Sequence, residues 1–429
     1  VADAPRVAVL ARAAQPLHGV GGLERHVHDL VSHLVRRGSS VTLVTRPATV
    51  AGADAGDAAA LFGVDPRLFR LIIAPYVTFP GAGRRGTTII DRSTAYPLFG
   101  WRAGRIAIRL ARRGDVDIVH ALGASGLGYA TARRRHEHTV PFVFNPQGLE
   151  EFGGTLPRMP TLKRVGYTPL QAAVRVCASA ADVVLATDRS LVDTVQRHLG
   201  IDHARIETVP NAVDLEAIDR ARAAADPAAV RAAAGIGPDD VVILSVGRLE
   251  ANKGFHVLAE ALGRLTARAA APPWRWVLVG DGPHRSVIER AAQDAAMGPR
   301  LTLTGRLSDA DLSSWYEAAD LFVHPTLYEG SSLVTLEAMA RETAVVATRA
   351  GGLPDKVVPD VTGWLVDPGD PAALADALVD ALASGEERQR RGAAGRALVE
   401  QEFSWPAVTD RLLAIYRVLR SRESESRGR

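Results

Sequence analysis

Two doubly wound α/β domains facing a cleft are the architecture this sequence predicts. Three observations point there. Short, continuously apolar runs recur along the chain, each leading into a turn or a helix-compatible segment, the pattern of parallel strands covered on both faces. The 429 residues exceed one core and suit two units of about 200 residues each. The halves also differ in charge: residues 1–200 carry 25 Lys+Arg against 15 Asp+Glu, and residues 201–429 carry 26 against 33, within a net charge of +3. A basic half joined to an acidic half implies different partners, the basic one facing something anionic.

The first half opens with the strand "RVAVLAR", the glycine loop "HGVGG" and the amphipathic segment "LERHVHDLVSHLVRRG". Leu23, Val27, Leu30, Val31 and Leu34 recur at helical spacing, and Gly38 stops the helix. "SVTLVT", "DIVHAL", "PFVFN" and "DVVLAT" read as further strands, and residues 76–100 as a long loop. The second half repeats the scheme with "DDVVILSVG", "WRWVLVG", "RLTLTG", "DLFVHP", "TAVVAT" and "GWLVDP". Asp370 and Pro371 read as N-cap and first residue of a late helix. The boundary is expected near "IETVPNAVDLEAI", giving domains over 1–205 and 206–404. In such sheets ligands bind beyond the carboxyl ends of the strands.

Composition narrows the function. No apolar run approaches the roughly 18 residues of a membrane span, and "VADAPRVAVLARAA" lacks the pattern of a signal peptide, so a soluble cytoplasmic protein is expected. The single cysteine, Cys177, excludes an internal disulfide and reads as a packed residue. The paired aspartates Asp115/Asp117 and Asp309/Asp311 fit strand and helix starts better than a metal motif, so no metal and no cofactor are expected.

The chemistry concentrates in two stretches. "SVGRLEANKGFHVL" places Arg248 and Lys253 after a buried strand, with Gly254 opening the next helix. Lys253 is one of only three lysines, with Lys163 and Lys356, and a guanidinium fork beside an ammonium suits a diphosphate. The spacing of a nucleoside-triphosphatase phosphate loop is absent, and Glu24 breaks the dinucleotide fingerprint in "HGVGGLE". "HPTLYEGSSLVTLEAMA" places Glu329 before a helix and Glu337 about two turns inside it. An acidic helix start with a solvated glutamate is the ordinary reading of that pair.

These stretches, with "GVGGLERHVHDLVSHLVRRGSSVTLVT", "DIVHAL", "VPNAVDLEAI", "VVATRAGGLPDKV", "TGWLVDPGD" and the final "FSWPAVTDRLLAIYRVL", resemble the retaining glycosyltransferases of the GT-B fold, bacterial family four. The resemblance runs in order along nearly the whole chain. It implies that residues 405–422 form a helix crossing back to the N-terminal domain, with 423–429 a disordered charged tail. It implies a hexosyltransferase that uses a nucleoside-diphosphate sugar, with a small-molecule, glycan or lipid-linked acceptor and no nucleic acid. Arg248 and Lys253 would hold the donor diphosphate without a metal. Glu337 would take the ribose hydroxyls and Glu329 the donor sugar, with backbone N–H groups of Ser331, Ser332 and Leu333 between them. Gly21 and Gly22 would let backbone approach the diphosphate, Arg306 and Leu307 would edge the base, and His120, closing "DIVH", would lie at the reacting centre.

The sequence departs from the family where Ser331-Ser332 replaces Phe-Gly or Leu-Pro, where Ala212 replaces glycine, and at Gln147, where a histidine is common. Gln147, with Arg102, Arg105 and Arg109, is a candidate for the acceptor side, where this departure keeps the family's contacts from carrying over directly. In "WRAGRIAIRLARRG", Arg102, Arg105, Arg109, Arg112 and Arg113 gather on one stripe. It reads as a solvated basic face or as a contact with an anionic membrane or phosphorylated acceptor. A nucleotide-sugar epimerase on the same fold, or a non-catalytic nucleotide-sugar binder, are the rival functions.

Overall fold

A computed structural model describes residues 4–19, 21–50, 58–77, 87–135, 139–147, 149–153, 165–266 and 272–427. The chain divides into two units, residues 1–211 with 405–429, and residues 212–404.

The first unit is built on seven parallel strands: β1 (Arg6–Leu10), β2 (Ser40–Thr45), β3 (Phe69–Ile73), β4 (Ile118–Leu122), β5 (Phe142–Asn145), β6 (Val183–Ala186) and β7 (Ile206–Thr208). Their order is β3-β2-β1-β4-β5-β6-β7. The chain thus reverses direction across the sheet at β1 and β4, where a doubly wound fold opens a ligand crevice. The interior strands β1, β4 and β5 are almost wholly buried, which is why they read as unbroken apolar runs. Edge strand β3 is fully buried only at Phe69, and its weaker pattern escapes the sequence reading.

The helix Gly22–Arg36 follows β1 and ends as expected, with Gly38 at φ 86° and its N–H on the Val35 carbonyl. Two segments correct the expected loop over 76–100. Thr87–Ser93 and Ala95–Arg112 are helices, and residues 78–86 lie outside the described ones. Cys177 is buried in the helix Thr168–Ala180, where burial pushes its thiol pKa up.

The boundary expected after residue 205 moves to 211, because Ile206–Thr208 pair with β6. The helix Trp405–Arg427 belongs to this unit and continues through most of the tail expected to be disordered. It is anchored by Trp405, whose ring stacks on His33 and whose Nε1–H donates to Asp29 at 3.2 Å, and by Asp410 on Arg37 at 2.8 Å.

The second unit has six parallel strands: β8 (Val241–Val246), β9 (Trp274–Val279), β10 (Leu301–Gly305), β11 (Leu321–His324), β12 (Val345–Thr348) and β13 (Gly363–Val366). Their order is β10-β9-β8-β11-β12-β13, so β8 and β11 flank the switch point. Helices Phe255–Thr266 and Pro371–Ala383 pack on one face, with Leu258, Leu262, Leu374 and Leu378 buried against Ile243, Leu278 and Val346. Asp370 caps the second of these through the N–H groups of Ala372 and Ala373. Ser308, rather than an aspartate, caps the helix Asp309–Ala318.

Candidate active site

The switch point of the second sheet brings Lys253 and Glu329 together. Lys253 leaves β8 on a single 3-10 turn, Ala251–Lys253, ending at Gly254 in the left-handed region (φ 67°). A side chain at 254 would be strained by that φ, and its Cβ would also collide with the Pro325 carbonyl. The loop after β11 is stitched to the same turn. The Asn252 carbonyl accepts from the Leu327 N–H at 2.8 Å and from the Thr326 hydroxyl at 2.9 Å. The result is an ion pair, Lys253 Nζ to Glu329 Oε2, at 2.6 Å.

His324, the last residue of β11, completes the cluster. It is buried, and its Nε2 lies 2.9 Å from Glu329 Oε2. A carboxylate offers only acceptors, so Nε2 carries the proton. Nδ1 faces the Ser332 hydroxyl at 3.5 Å, and Ser332 Oγ lies 2.9 Å from Thr335 Oγ1. Burial pushes the His324 pKa down, and Lys253 and the fully buried Lys356 push it further, against the bond to Glu329. Burial by itself would raise Glu329, but His324 and Lys253 together hold its carboxyl well below the usual range. The cluster is therefore a carboxylate and an ammonium in contact, with a neutral imidazole beneath them.

Glu337 lies about one turn into the helix Leu333–Met339, not two as expected, because the helix opens at Leu333 with Ser332 as its cap. Tyr316 donates its hydroxyl to Glu337 Oε2 at 3.0 Å. Arg248 is 73% exposed and rests on Glu250 at 3.0 Å. Arg306 is exposed beyond β10 and Leu307 is half-buried. They follow a turn where the Gly280 N–H donates to the Gly305 carbonyl. Ser331 Oγ is buried without a partner among the described residues.

In the first unit, Gly21 and Gly22 begin the helix Gly22–Arg36, and open space surrounds Gly22 where a side chain would sit. Gln147 follows β5 at φ 63°, its N–H on Asn145 Oδ1 and its Nε2 buried without a partner. Such strain in a non-glycine residue is a feature of binding and catalytic loops. Arg105 and Arg109 are exposed on the helix Ala95–Arg112, whereas Arg102 is half-buried and donates to the Pro75 carbonyl at 3.2 Å.

His120 is a correction. β4 ends at Leu122, the last residue of "DIVHAL", which leaves His120 in the middle of the strand, not closing it, and 1% exposed. Its Nδ1 is 2.7 Å from the Tyr416 hydroxyl on the C-terminal helix. Burial, with a further push from His26, lowers its pKa to about 3. The histidine that does close an apolar strand is His324, at the end of β11 beside Glu329. Tyr316, Asn252 and Lys356 carry no sequence signal, since only folding brings them beneath the site.

The two parallel sheets with their switch points have the GT-B architecture, and comparison with known proteins gives the class, a glycosyltransferase. Residues 20–217 match the family described as glycosyltransferase family 4, and residues 228–398 match glycosyl transferases group 1. D-inositol 3-phosphate glycosyltransferase of Mycobacterium tuberculosis is 31% identical over 439 residues, covering 97% of this chain and 83% of that protein. The Xylanimonas cellulosilytica protein of the same name is 29% identical over 441 residues, covering 96% of each. Among solved structures, sucrose-phosphate synthase from Thermosynechococcus elongatus aligns with a TM-score of 0.69 at 24% identity, over 97% of this chain and 99% of that one. Anabaena HepE in complex with UDP and glucose aligns at 0.65 and 18% identity, over 96% and 100%. The chain belongs to glycosyltransferase family four.

Proposed function

We propose that this glycosyltransferase is a retaining, metal-independent enzyme that moves a hexose from a nucleoside-diphosphate sugar to an acceptor hydroxyl. The observation that carries the reading is the Lys253–Glu329 contact of 2.6 Å at the carboxyl edge of β8 and β11. An ammonium suits phosphate and a carboxylate suits sugar hydroxyls, so their contact supports binding of the sugar–phosphate junction of one donor there. Lys253 and Arg248 stabilise the leaving diphosphate, Glu329 accepts from the sugar, Glu337 from the ribose, and Ser331, Ser332 and Leu333 offer backbone N–H groups between them. Gly21 and Gly22 would leave room for the diphosphate, and Arg306 and Leu307 would flank the base.

The sugar C1–O bond to the diphosphate breaks, and the electron pair leaves with the phosphate oxygen. The acceptor oxygen bonds C1 on the same face and passes its proton to that leaving oxygen. One observation supports fixed cations in place of a metal: the site presents Lys253 and Arg248.

On the acceptor side, the basic first half and the name of the mycobacterial relative support an anionic acceptor, such as a phosphorylated polyol. The test is a thermal-shift screen of nucleoside-diphosphate sugars, since a ligand bound only by the folded state raises its melting point. Transfer is then followed with and without chelator, and the anomer of the product is read by NMR. Donor turnover without acceptor would instead indicate an epimerase, and loss of transfer in chelator would remove the metal-free reading.

A further inference from the structure

Two arginines at the carboxyl edge of the first sheet each keep a buried Nε–H unsatisfied among the described residues. Arg12 lies two residues past β1, and Arg46 directly follows β2. Arg12 is 17% exposed, lies over the Tyr96 ring at 4.8 Å, and comes no closer to a carboxylate than 3.8 Å, at Asp91. Arg46 is half-buried and lies over the Tyr76 ring at 5.2 Å. The Nε of each is buried without a partner among the described residues, while the Arg12 guanidinium also bears on the Tyr76 hydroxyl. Asp91 accepts from the Tyr76 hydroxyl through Oδ2 at 2.9 Å, and its Oδ1 is buried without a partner among the described residues.

A guanidinium presents five donors, and buried ones are almost always satisfied. Placing two such groups side by side also costs energy: burial and then Arg12 lower the Arg46 pKa, with Tyr76, Asp91 and Glu24 opposing. The rings of Tyr76 and Tyr96 fix the guanidinium planes, and Tyr96 is itself fixed by donating to the Leu122 carbonyl at the end of β4 at 3.0 Å. Four neighbouring strands, β3, β2, β1 and β4, thus contribute to one rigid, donor-rich spot.

We infer that Arg12 and Arg46 form a subsite for the phosphate group of a phosphorylated polyol acceptor. A phosphate monoester supplies several oxygens to two forks, which one carboxylate at 3.8 Å does not. The inference rests on the proposed glycosyl transfer and deepens it by naming what the acceptor carries. It also moves the acceptor side from the exposed stripe of Arg105 and Arg109 to this inner pair.

The test titrates the full-length protein, in the presence of UDP, with D-inositol 3-phosphate, inorganic phosphate and unphosphorylated inositol. Wild type should bind the phosphorylated polyol, with inorganic phosphate competing, and bind inositol far more weakly. Arg12→Gln and Arg46→Gln should each lose about 10- to 100-fold in affinity for inositol phosphate, with UDP affinity unchanged. Arg67→Gln, at an exposed arginine paired with Asp65, should bind as wild type does. Arg46→Lys, which keeps the charge but not the fork, should fall between and serves if glutamine prevents folding. Equal affinity in wild type and both glutamine variants overturns the subsite, as does a wild type that binds inositol as well as its phosphate. Failure to bind UDP or any nucleotide sugar would instead remove the proposed donor reading, while competition by inorganic phosphate still reports on the two arginines.

Discussion

Lys253 Nζ and Glu329 Oε2 are 2.6 Å apart, and a second bond from His324 reaches the same carboxylate oxygen at 2.9 Å. The cation proposed for the diphosphate is here in contact with the carboxylate proposed for the sugar. On that reading donor binding would part them, which gives the pair an asymmetric mutational signature. Glu329→Gln should leave UDP affinity intact or raise it several-fold by freeing Lys253, while sugar transfer falls. Glu337→Gln should weaken UDP and intact donor alike, because that carboxylate would meet the ribose. Calorimetry with UDP and a donor, beside a transfer assay, separates the two. Equal losses in both variants would contradict the division.

Lys253→Ala should weaken UDP binding by about 1.5–3 kcal/mol, the range of a hydrogen bond to a charged group. Arg248→Ala should lose less, about 1 kcal/mol or under, since Arg248 is exposed and solvent screens it. Wild-type affinity in the Lys253 variant would detach it from the diphosphate.

His324 should behave as a positioning residue. His324→Leu removes the Nε2–H that orients Glu329, and kcat should fall roughly 100-fold, as for a misplacement of about 1 Å, with UDP affinity retained. His324→Gln, which can place an amide N–H near the same point, should recover part of the loss. A leucine variant that transfers normally, or a glutamine variant no better than leucine, would assign the imidazole to packing alone.

Buried His120 should make stability depend on acid. Its folded pKa is about 3, against 6.5 unfolded, so below pH 6.5 the unfolded chain binds the extra proton. Stability is therefore full above pH 6.5 and declines as pH falls toward 3, by about 2 kcal/mol per such histidine at pH 5. Denaturant unfolding of His120→Phe should show a flatter dependence between pH 7 and 5, whatever its absolute stability. An unchanged slope would mean that His120 is not held neutral.

The helix Ala95–Arg112 exposes Leu98 and Trp101 beside Arg105 and Arg109. If this face meets an anionic bilayer, Arg105→Glu with Arg109→Glu should abolish sedimentation with acidic liposomes at low salt and spare UDP binding. Absence of liposome binding by wild type would leave the face simply solvated.

The interior strands and the motif loops were legible from the sequence for a physical reason. A strand buried on both faces must be apolar throughout, so β1, β4, β8 and β11 announce themselves, and a site beyond their carboxyl ends follows from topology. Edge strand β3 and the helices within 87–100 depend on neighbours far along the chain, and local pattern is weak there. Spacing alone could not separate His120 from His324. Which of two strand histidines is sealed against a helix and which meets a carboxylate depends on where each strand ends and what packs over it. The same holds for Arg12 and Arg46, single arginines 34 positions apart in a sequence rich in them. Pairing β1 with β2 in parallel register sets their strand ends side by side, and only the tertiary structure shows that the Nε of each is buried without a partner among the described residues.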